Sequence, residues 1–435
     1  MRVTIIGGGL AGSEAAIQLA KRGFEVDLYE MRPEVSTQAH KTGKLAEFVC
    51  SNSLGSADIT NASGLLKKEL QLLGSCLIDI AYKCRVPAGN ALAIDREGFS
   101  KAVTDIIEQN PKINLIRTEI CEIPTEMPCI IASGPLTSKK LSDSIKIFTG
   151  EEHLHFFDAI APIVERESVN FDKAFYAARY DKGEASYINC PMDKEEYQRF
   201  YDFLINAPGI ECKEFEKDAK FFESCLPVEV LASRGVDTLR FGPMKPVGLV
   251  DKRTDRKNYA VVQLRQDDAS ANLYNLVGFQ TNLKWGAQKE LLQLIPGLEN
   301  ANIVRYGVMH RNTFINSPKV LNAGFQSRKN PNIFFAGQIT GTEGYTESIA
   351  GGLLAGINMA KYLSGEDLLI LPQTTMLGAL TSYISCPEHK SFQPINSNWG
   401  IVAPMDMDKK VRKDKKLKNT LLAERSLSTL KAILY

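Results

Sequence analysis

The sequence predicts an α/β protein whose main domain is a parallel sheet flanked by helices, discontinuous in the chain and interrupted by an inserted α+β domain. Three observations carry this reading. An apolar strand at residues 2–6 runs straight into Gly7-x-Gly9-x-x-Gly12. Strand and helix patterns alternate over the first 135 residues. A further buried strand ending in glycine stands far downstream, at 332–338. The chain has 435 residues, more than the about 250–300 that one core usually holds, so two domains are expected.

Each element follows from local pattern. After strand 2–6, Gly7 permits a tight turn, Gly9 lets the backbone approach a pyrophosphate, and Gly12 lets the next helix pack closely. Gly8, Leu10 and Ala11 complete this Rossmann-type cradle, and the N-terminal N–H groups of helix 10–22 face the phosphates. Gly23 ends the helix, strand 24–29 follows, and Glu30 falls eighteen residues after Gly12, where a ribose hydroxyl needs a carboxylate. Helices near 62–73 and 97–109 and strands at 113–117 and 128–132 continue the alternation. The last strand ends in Ser133-Gly134-Pro135, small residues suited to lie beneath a cofactor.

From about 166 to 319 the texture changes to many aromatics, scattered charges and the Pro-rich run Phe241–Gly248, as suits an inserted α+β domain. Strand 332–338 then ends at Gly337-Gln338, a glycine-dense loop carries Gly341, Gly344, Gly351 and Gly352, and residues 353–363 read as a helix. A nucleotide domain of residues 1–165 and 320–435 is therefore closed by its C-terminal part, around an insertion at 166–319. Dehydrogenases that use NAD alone usually complete their cofactor site in one contiguous unit, whereas FAD proteins often need a distant segment over the flavin. The expected cofactor is FAD, with Ser133, Gly134, Gly337, Gln338 and Gly351 added to the cradle residues.

Composition bounds the function. With 44% hydrophobic and 24% charged residues the chain is an ordinary globular protein. No stretch approaches the roughly 18 apolar residues of a membrane span and no leader pattern opens the chain, so a cytoplasmic protein is expected. Nine cysteines without a C-x-x-C pair, and histidines without metal spacing, predict neither zinc nor any other metal. The net charge of +1 advertises no nucleic-acid binder. The seven cations within 409–418 read as a solvated helix face or frayed end, with phosphate contact as the alternative.

Two cysteines stand in chemically suggestive settings. Cys50, in Phe48-Val49-Cys50-Ser51-Asn52-Ser53, lies on the loop leaving the nucleotide core. Cys225, in Glu223-Ser224-Cys225-Leu226-Pro227-Val228-Glu229, is flanked by carboxylates that would weaken a thiolate unless a cation such as Arg234 or Arg240 intervenes. An inert thiol is the competing reading for each. Arg265-Gln266-Asp267 and His310-Arg311-Asn312-Thr313 suit either an anionic substrate or pairing between domains, and Trp285 either a flat ligand or a core.

Taken together, these strings closely resemble the folate- and FAD-dependent tRNA (uracil-5-)-methyltransferases, the TrmFO family. The resemblance runs through nearly the whole chain and includes Val86-Pro87-Ala88-Gly89, Phe156–Pro162, Tyr187–Met192, Gly278–Thr281, Tyr306–Thr313 and Ala336-Gly337-Gln338. It implies transfer of a one-carbon unit from 5,10-methylenetetrahydrofolate, through reduced flavin, to carbon 5 of a tRNA T-loop uridine, with NAD(P)H as reductant. By position it makes Cys225 the thiol that attacks uracil carbon 6 and Cys50 the one held by the flavin. Ribosomal RNA, the target of a paralogous branch, and a general FAD/NAD(P)H oxidoreductase remain the alternatives. The second lacks another G-x-G-x-x-G in 150–330. Gly55 stands where the family commonly has arginine, and Ser224, Leu226 and Val228 replace the more usual Gly, Met and Ile.

Overall fold

Strands such as Cys129–Ile131 and Ile333–Phe335 are continuous buried apolar runs, as suits parallel strands covered on both faces, whereas Glu25–Tyr29 alternates buried and partly exposed residues. In the computed structural model, which describes residues 1–435 apart from Gln38, Lys182, 210–225, 255–257, 390–391 and Tyr435 and gives only the backbone at 156–158 and 310–311, five strands lie side by side. Their order is Ile333–Phe335, Cys129–Ile131, Arg2–Ile6, Glu25–Tyr29 and Ile113–Ile116. All neighbours are parallel, with Ile5 opposite both Leu28 and Ile130, and Phe334 opposite Ile130. The late strand thus completes the N-terminal sheet, and the fold is a Rossmann-type α/β domain.

Helix Leu10–Lys21 packs on helix Tyr345–Leu363. Small residues set that spacing: a Cβ on Gly352 would stand 2.1 Å from the carbonyl oxygen of Ala11. This corrects the expected helix 353–363, which begins eight residues earlier, and moves Gly351 and Gly352 from a loop to a helix interior. Glycine disfavours helices locally, but close packing of two helices outweighs that preference here.

The second sheet has the order Phe175–Ala177, Tyr187–Met192, Ala260–Gln266, Leu273–Leu276, Ile163–Glu165, Ile303–Arg305, antiparallel throughout. Its core gathers Ile188, Val262, Leu264 and Tyr274 with Phe200 and Leu204 of helix Lys194–Asn206. Asp193 and Glu196 form a reciprocal capping box that starts this helix. The chain enters and leaves this region through the antiparallel pair Leu154–Ala159 and Met309–Phe314.

Helices Ala62–Leu72 and Cys76–Lys83, not expected as a pair, are held by buried carboxylates. Glu14 accepts from the N–H groups of Cys76 and Leu77 and from Ser75 Oγ. Glu69 accepts from the N–H groups of Met376 and Leu377, starting helix Met376–Ser385, and from Ser426 of the terminal helix Lys415–Leu434. Most of the basic run 409–418 is exposed on helix Lys409–Lys413 and the start of that terminal helix. Among the described residues, no helix is long and apolar enough to cross a membrane.

Candidate active site

The Gly7–Gly12 turn opens into a cavity of about 720 Å³ that borders both sheets. Gly9, at the N-cap of helix Leu10–Lys21, lines it with Gly7, Leu10 and Ala11, and a Cβ built on Gly9 would meet nothing within 4 Å. The backbone is therefore open to a ligand, with the helix N-terminus directed at it. Gly12 and Gly8 stand behind this wall. A Cβ on Gly12 would lie 1.8 Å from the carbonyl oxygen of Gly7, while Gly8 N–H donates to Glu30 Oε2 at 2.9 Å.

Glu30 lines the cavity at the end of its strand and is 5% exposed. Burial alone would raise its carboxyl, but the Arg32 guanidinium, 2.9 Å away, and the N–H groups of Arg32 and Gly8 outweigh burial. The group is held below the usual carboxylate range, an anion available to accept a hydroxyl.

The adjoining wall comes from the ends of strands Cys129–Ile131 and Ile333–Phe335: Ser133, Gly134, Gly337 and Gln338 all line the cavity. Gln338 donates to Glu343 at 2.7 Å. Gly351 supports this wall from behind, since a Cβ there would come within 2.9 Å of Gly337 N. A glycine cradle, a carboxylate at one end and buried polar groups along the wall fit a dinucleotide such as FAD.

Cys50 lies where the two sheets meet. Its Sγ is 3.6 Å from the carbonyl oxygen of Ala159, and its N–H donates to Tyr345 Oη at 2.7 Å. Arg96 donates to the carbonyls of Phe48 and Cys50, and Arg305 to that of Val49. Arg96 also pairs with Asp267 of the second sheet; burial opposes its charge, and Asp267 more than offsets that, raising its pKa. Asn52 then ties the loop to Gln266 O, Arg265 and Asn275. Arg265 and Asp267 therefore serve the junction between sheets, and Arg265 also lines the cavity.

Cys225 lies outside the described residues. The chain just after it is anchored: Val228 N–H donates to Gln280 O at 2.7 Å, and Gln280 lines the cavity. Glu229 accepts from Thr281 Oγ1 and Asn282 N–H, and burial raises its carboxyl. Arg240 is directed to Asp237 and the Tyr259 ring. Trp285 is 60% exposed and stacks on Tyr306, with ring centroids 5.1 Å apart, so it is not a core residue. Among the described residues no cluster of His, Cys, Asp and Glu could hold a metal ion.

Comparison with known proteins resolves what this geometry belongs to. Residues 2–367 match the family model described as glucose inhibited division protein A. A protein of Anoxybacillus flavithermus named methylenetetrahydrofolate--tRNA-(uracil-5-)-methyltransferase TrmFO is 57% identical over 434 residues, covering 100% of this chain and 99% of that protein. One of the same name from Halalkalibacterium halodurans is 56% identical over 428 residues, covering 98% and 97%. The chain belongs to the TrmFO family. A solved structure of Aquifex aeolicus GidA shares its fold, with a TM-score of 0.69 at 15% identity, covering 99% of this chain and 75% of that one.

In this TrmFO-family chain, sequence reasoning missed Arg96, Arg305 and Tyr345 around Cys50. Nothing local to Arg96 says that it reaches Asp267, 171 residues away. Tyr345 bonds Cys50 across 295 residues, beyond any periodic signal.

Proposed function

We infer that this chain is a methylenetetrahydrofolate-dependent tRNA (uracil-5-)-methyltransferase that uses FAD, with NAD(P)H supplying electrons. The observation that carries the reading is convergence on one cavity. The glycine cradle, Cys50 and Gln280, which holds the segment following Cys225, all border it. The name shared by full-length relatives supplies the reaction, and tRNA is taken as substrate because that name specifies it.

When bound, the flavin supplies hydride and one-carbon transfer chemistry. Gly7, Gly9, Leu10 and Ala11 would hold its pyrophosphate and Glu30 its ribose hydroxyls, with Ser133, Gly134, Gly337 and Gln338 lining the adjoining wall. Gly8, Gly12 and Gly351 keep those elements in position. Cys50 lines the same cavity and would face the bound ring, its backbone fixed by Tyr345 and Arg96.

Cys225 is assigned as nucleophile. Carbon 5 of uracil is too weakly nucleophilic to attack an electrophilic methylene unaided. Addition of the Cys225 thiolate to carbon 6 breaks the 5,6 double bond and turns the ring into an enolate reactive at carbon 5. After the carbon–carbon bond forms, the carbon 5 proton and the nitrogen that carried the methylene are lost, hydride derived from NAD(P)H reduces the exocyclic methylene to a methyl group, and expulsion of the thiolate from the resulting enolate restores the 5,6 double bond. Glu229 positions the thiol's segment through Thr281 and Asn282. A cytoplasmic location belongs to the same reading, since tRNA and reduced folate meet there.

The test mixes the protein with unmodified tRNA, ribosomal RNA, methylenetetrahydrofolate and NADPH and locates 5-methyluridine by mass spectrometry. Product in tRNA that disappears with Cys225→Ala is expected. Product confined to ribosomal RNA, or full activity of Cys225→Ala, overturns the target or the nucleophile respectively.

A further inference from the structure

Asn312 lies in the antiparallel strand Met309–Phe314, is 1% exposed, and borders the cavity beside Pro135 and Gln338. Neither its Oδ1 nor its Nδ2 has a hydrogen-bond partner among the described residues. The backbone on its C-terminal side is fixed: Thr313 N–H donates to Pro135 O at 3.0 Å and Ile315 N–H to Ile339 O at 2.8 Å. Two neighbouring polar side chains of the wall are satisfied internally, Gln338 by Glu343 and Arg265 by Asn52 and Asn275. A buried amide with both ends unsatisfied is unfavourable, and its persistence at a cavity wall points to a ligand that completes it.

We propose that Asn312 recognises the lactam edge, an N–H beside a C=O, of a flat heterocycle held in this cavity. An asparagine amide offers one acceptor and two donors side by side, so one oxygen and one N–H match a lactam in two antiparallel hydrogen bonds. Asparagine reads the adenine edge by the same two-point logic. A phosphate or ionised carboxylate presents acceptors only and would leave Oδ1 unpaired. A hydrocarbon would leave both atoms unpaired. The pyrimidinedione ring of flavin and the pteridine ring of folate both carry this edge, so the assignment rests on the reading above and adds a specificity-determining residue to it.

The experiment uses full-length FAD-loaded protein, wild type, Asn312→Leu and Asn312→Ala, without RNA or reductant. FAD release on dilution gives the flavin affinity, and titration with tetrahydrofolate, followed by the visible flavin spectrum, gives the pteridine affinity. In at least one titration both variants are expected to bind tenfold or more weakly, about 1.4 kcal/mol. Weakened FAD retention assigns the edge to flavin, whereas normal FAD with weakened tetrahydrofolate assigns it to the pteridine. If Asn312→Leu does not fold, Asn312→Ala decides by the same titrations. Both affinities within twofold of wild type overturn the assignment of Asn312 alone, and wild-type protein that binds neither compound overturns the functional reading with it.

Discussion

Arg96 and Asp267 pair at two points, 2.8 and 3.0 Å, joining the start of helix Arg96–Glu108 to the end of strand Ala260–Gln266 in the antiparallel sheet, while the same guanidinium holds the carbonyls on either side of Val49. One side chain thus fixes the Cys50 loop and the junction between the two sheets. Asp267→Asn leaves Arg96 buried without its counter-charge, and removing one partner of such a pair costs about 3–5 kcal/mol. Denaturant unfolding is expected to show that loss. Unchanged stability would mean that the pair contributes nothing to the junction.

Glu69 is fully buried, and burial pushes its carboxyl up to about 7 despite three donors. Its folded pKa lies above the unfolded value, so between about pH 4.5 and pH 7 the folded chain binds the extra proton. The contribution of this group is therefore greatest at the acidic end and declines as pH rises through that window, by about 3 kcal/mol at roughly 1.4 per unit. Glu69→Gln removes the titration. Its unfolding free energy, measured from pH 4.5 to pH 8, is expected to change less with pH than wild type's, and identical slopes would contradict the assignment.

Much of the nucleotide domain was legible because its signals are local. Strand Arg2–Ile6 reads as a buried run, the Gly7–Gly12 spacing marks the turn, and a late strand ending in Gly337 announces a second visit to the sheet. The start of helix Tyr345–Leu363 was not legible, since Gly351 and Gly352 count against a helix until its neighbour is known. Asn312 stood in a quoted motif, but its meaning depends on being buried without a partner, which only the fold reveals. The links from Cys50 to Tyr345 and from Arg96 to Asp267 join distant stretches and carry no periodicity.

Cys50 Sγ lies 3.6 Å from Ala159 O, a long contact, whereas its loop is held by backbone bonds to Tyr345 and Arg96. Cys50→Ala is therefore expected to change stability by under about 1 kcal/mol. Methylation of tRNA should fall at least about tenfold, equivalent to ~1.4 kcal/mol of transition-state stabilisation. A rate assay beside a thermal melt separates the two effects. Full activity would remove Cys50 from the reaction, and a large fall in melting temperature would make its role structural.

Gly9 and Gly12 lie three residues apart in the same turn, and the structure gives them opposite sensitivities. Gly9 has φ −74°, which any residue can adopt, and a Cβ there meets nothing within 4 Å. Gly12 has no such space, because its Cβ would fall 1.8 Å from Gly7 O and push the helix off the turn. Gly12→Ala is expected to destabilise the folded protein by about 1–3 kcal/mol, the usual range for overpacking. Gly9→Ala should fold with near wild-type stability yet retain less FAD, because the added methyl enters the space where the turn meets the pyrophosphate. Unfolding curves and the visible flavin absorbance of each purified variant check both. Normal flavin content in Gly9→Ala would show that the ligand does not approach this turn.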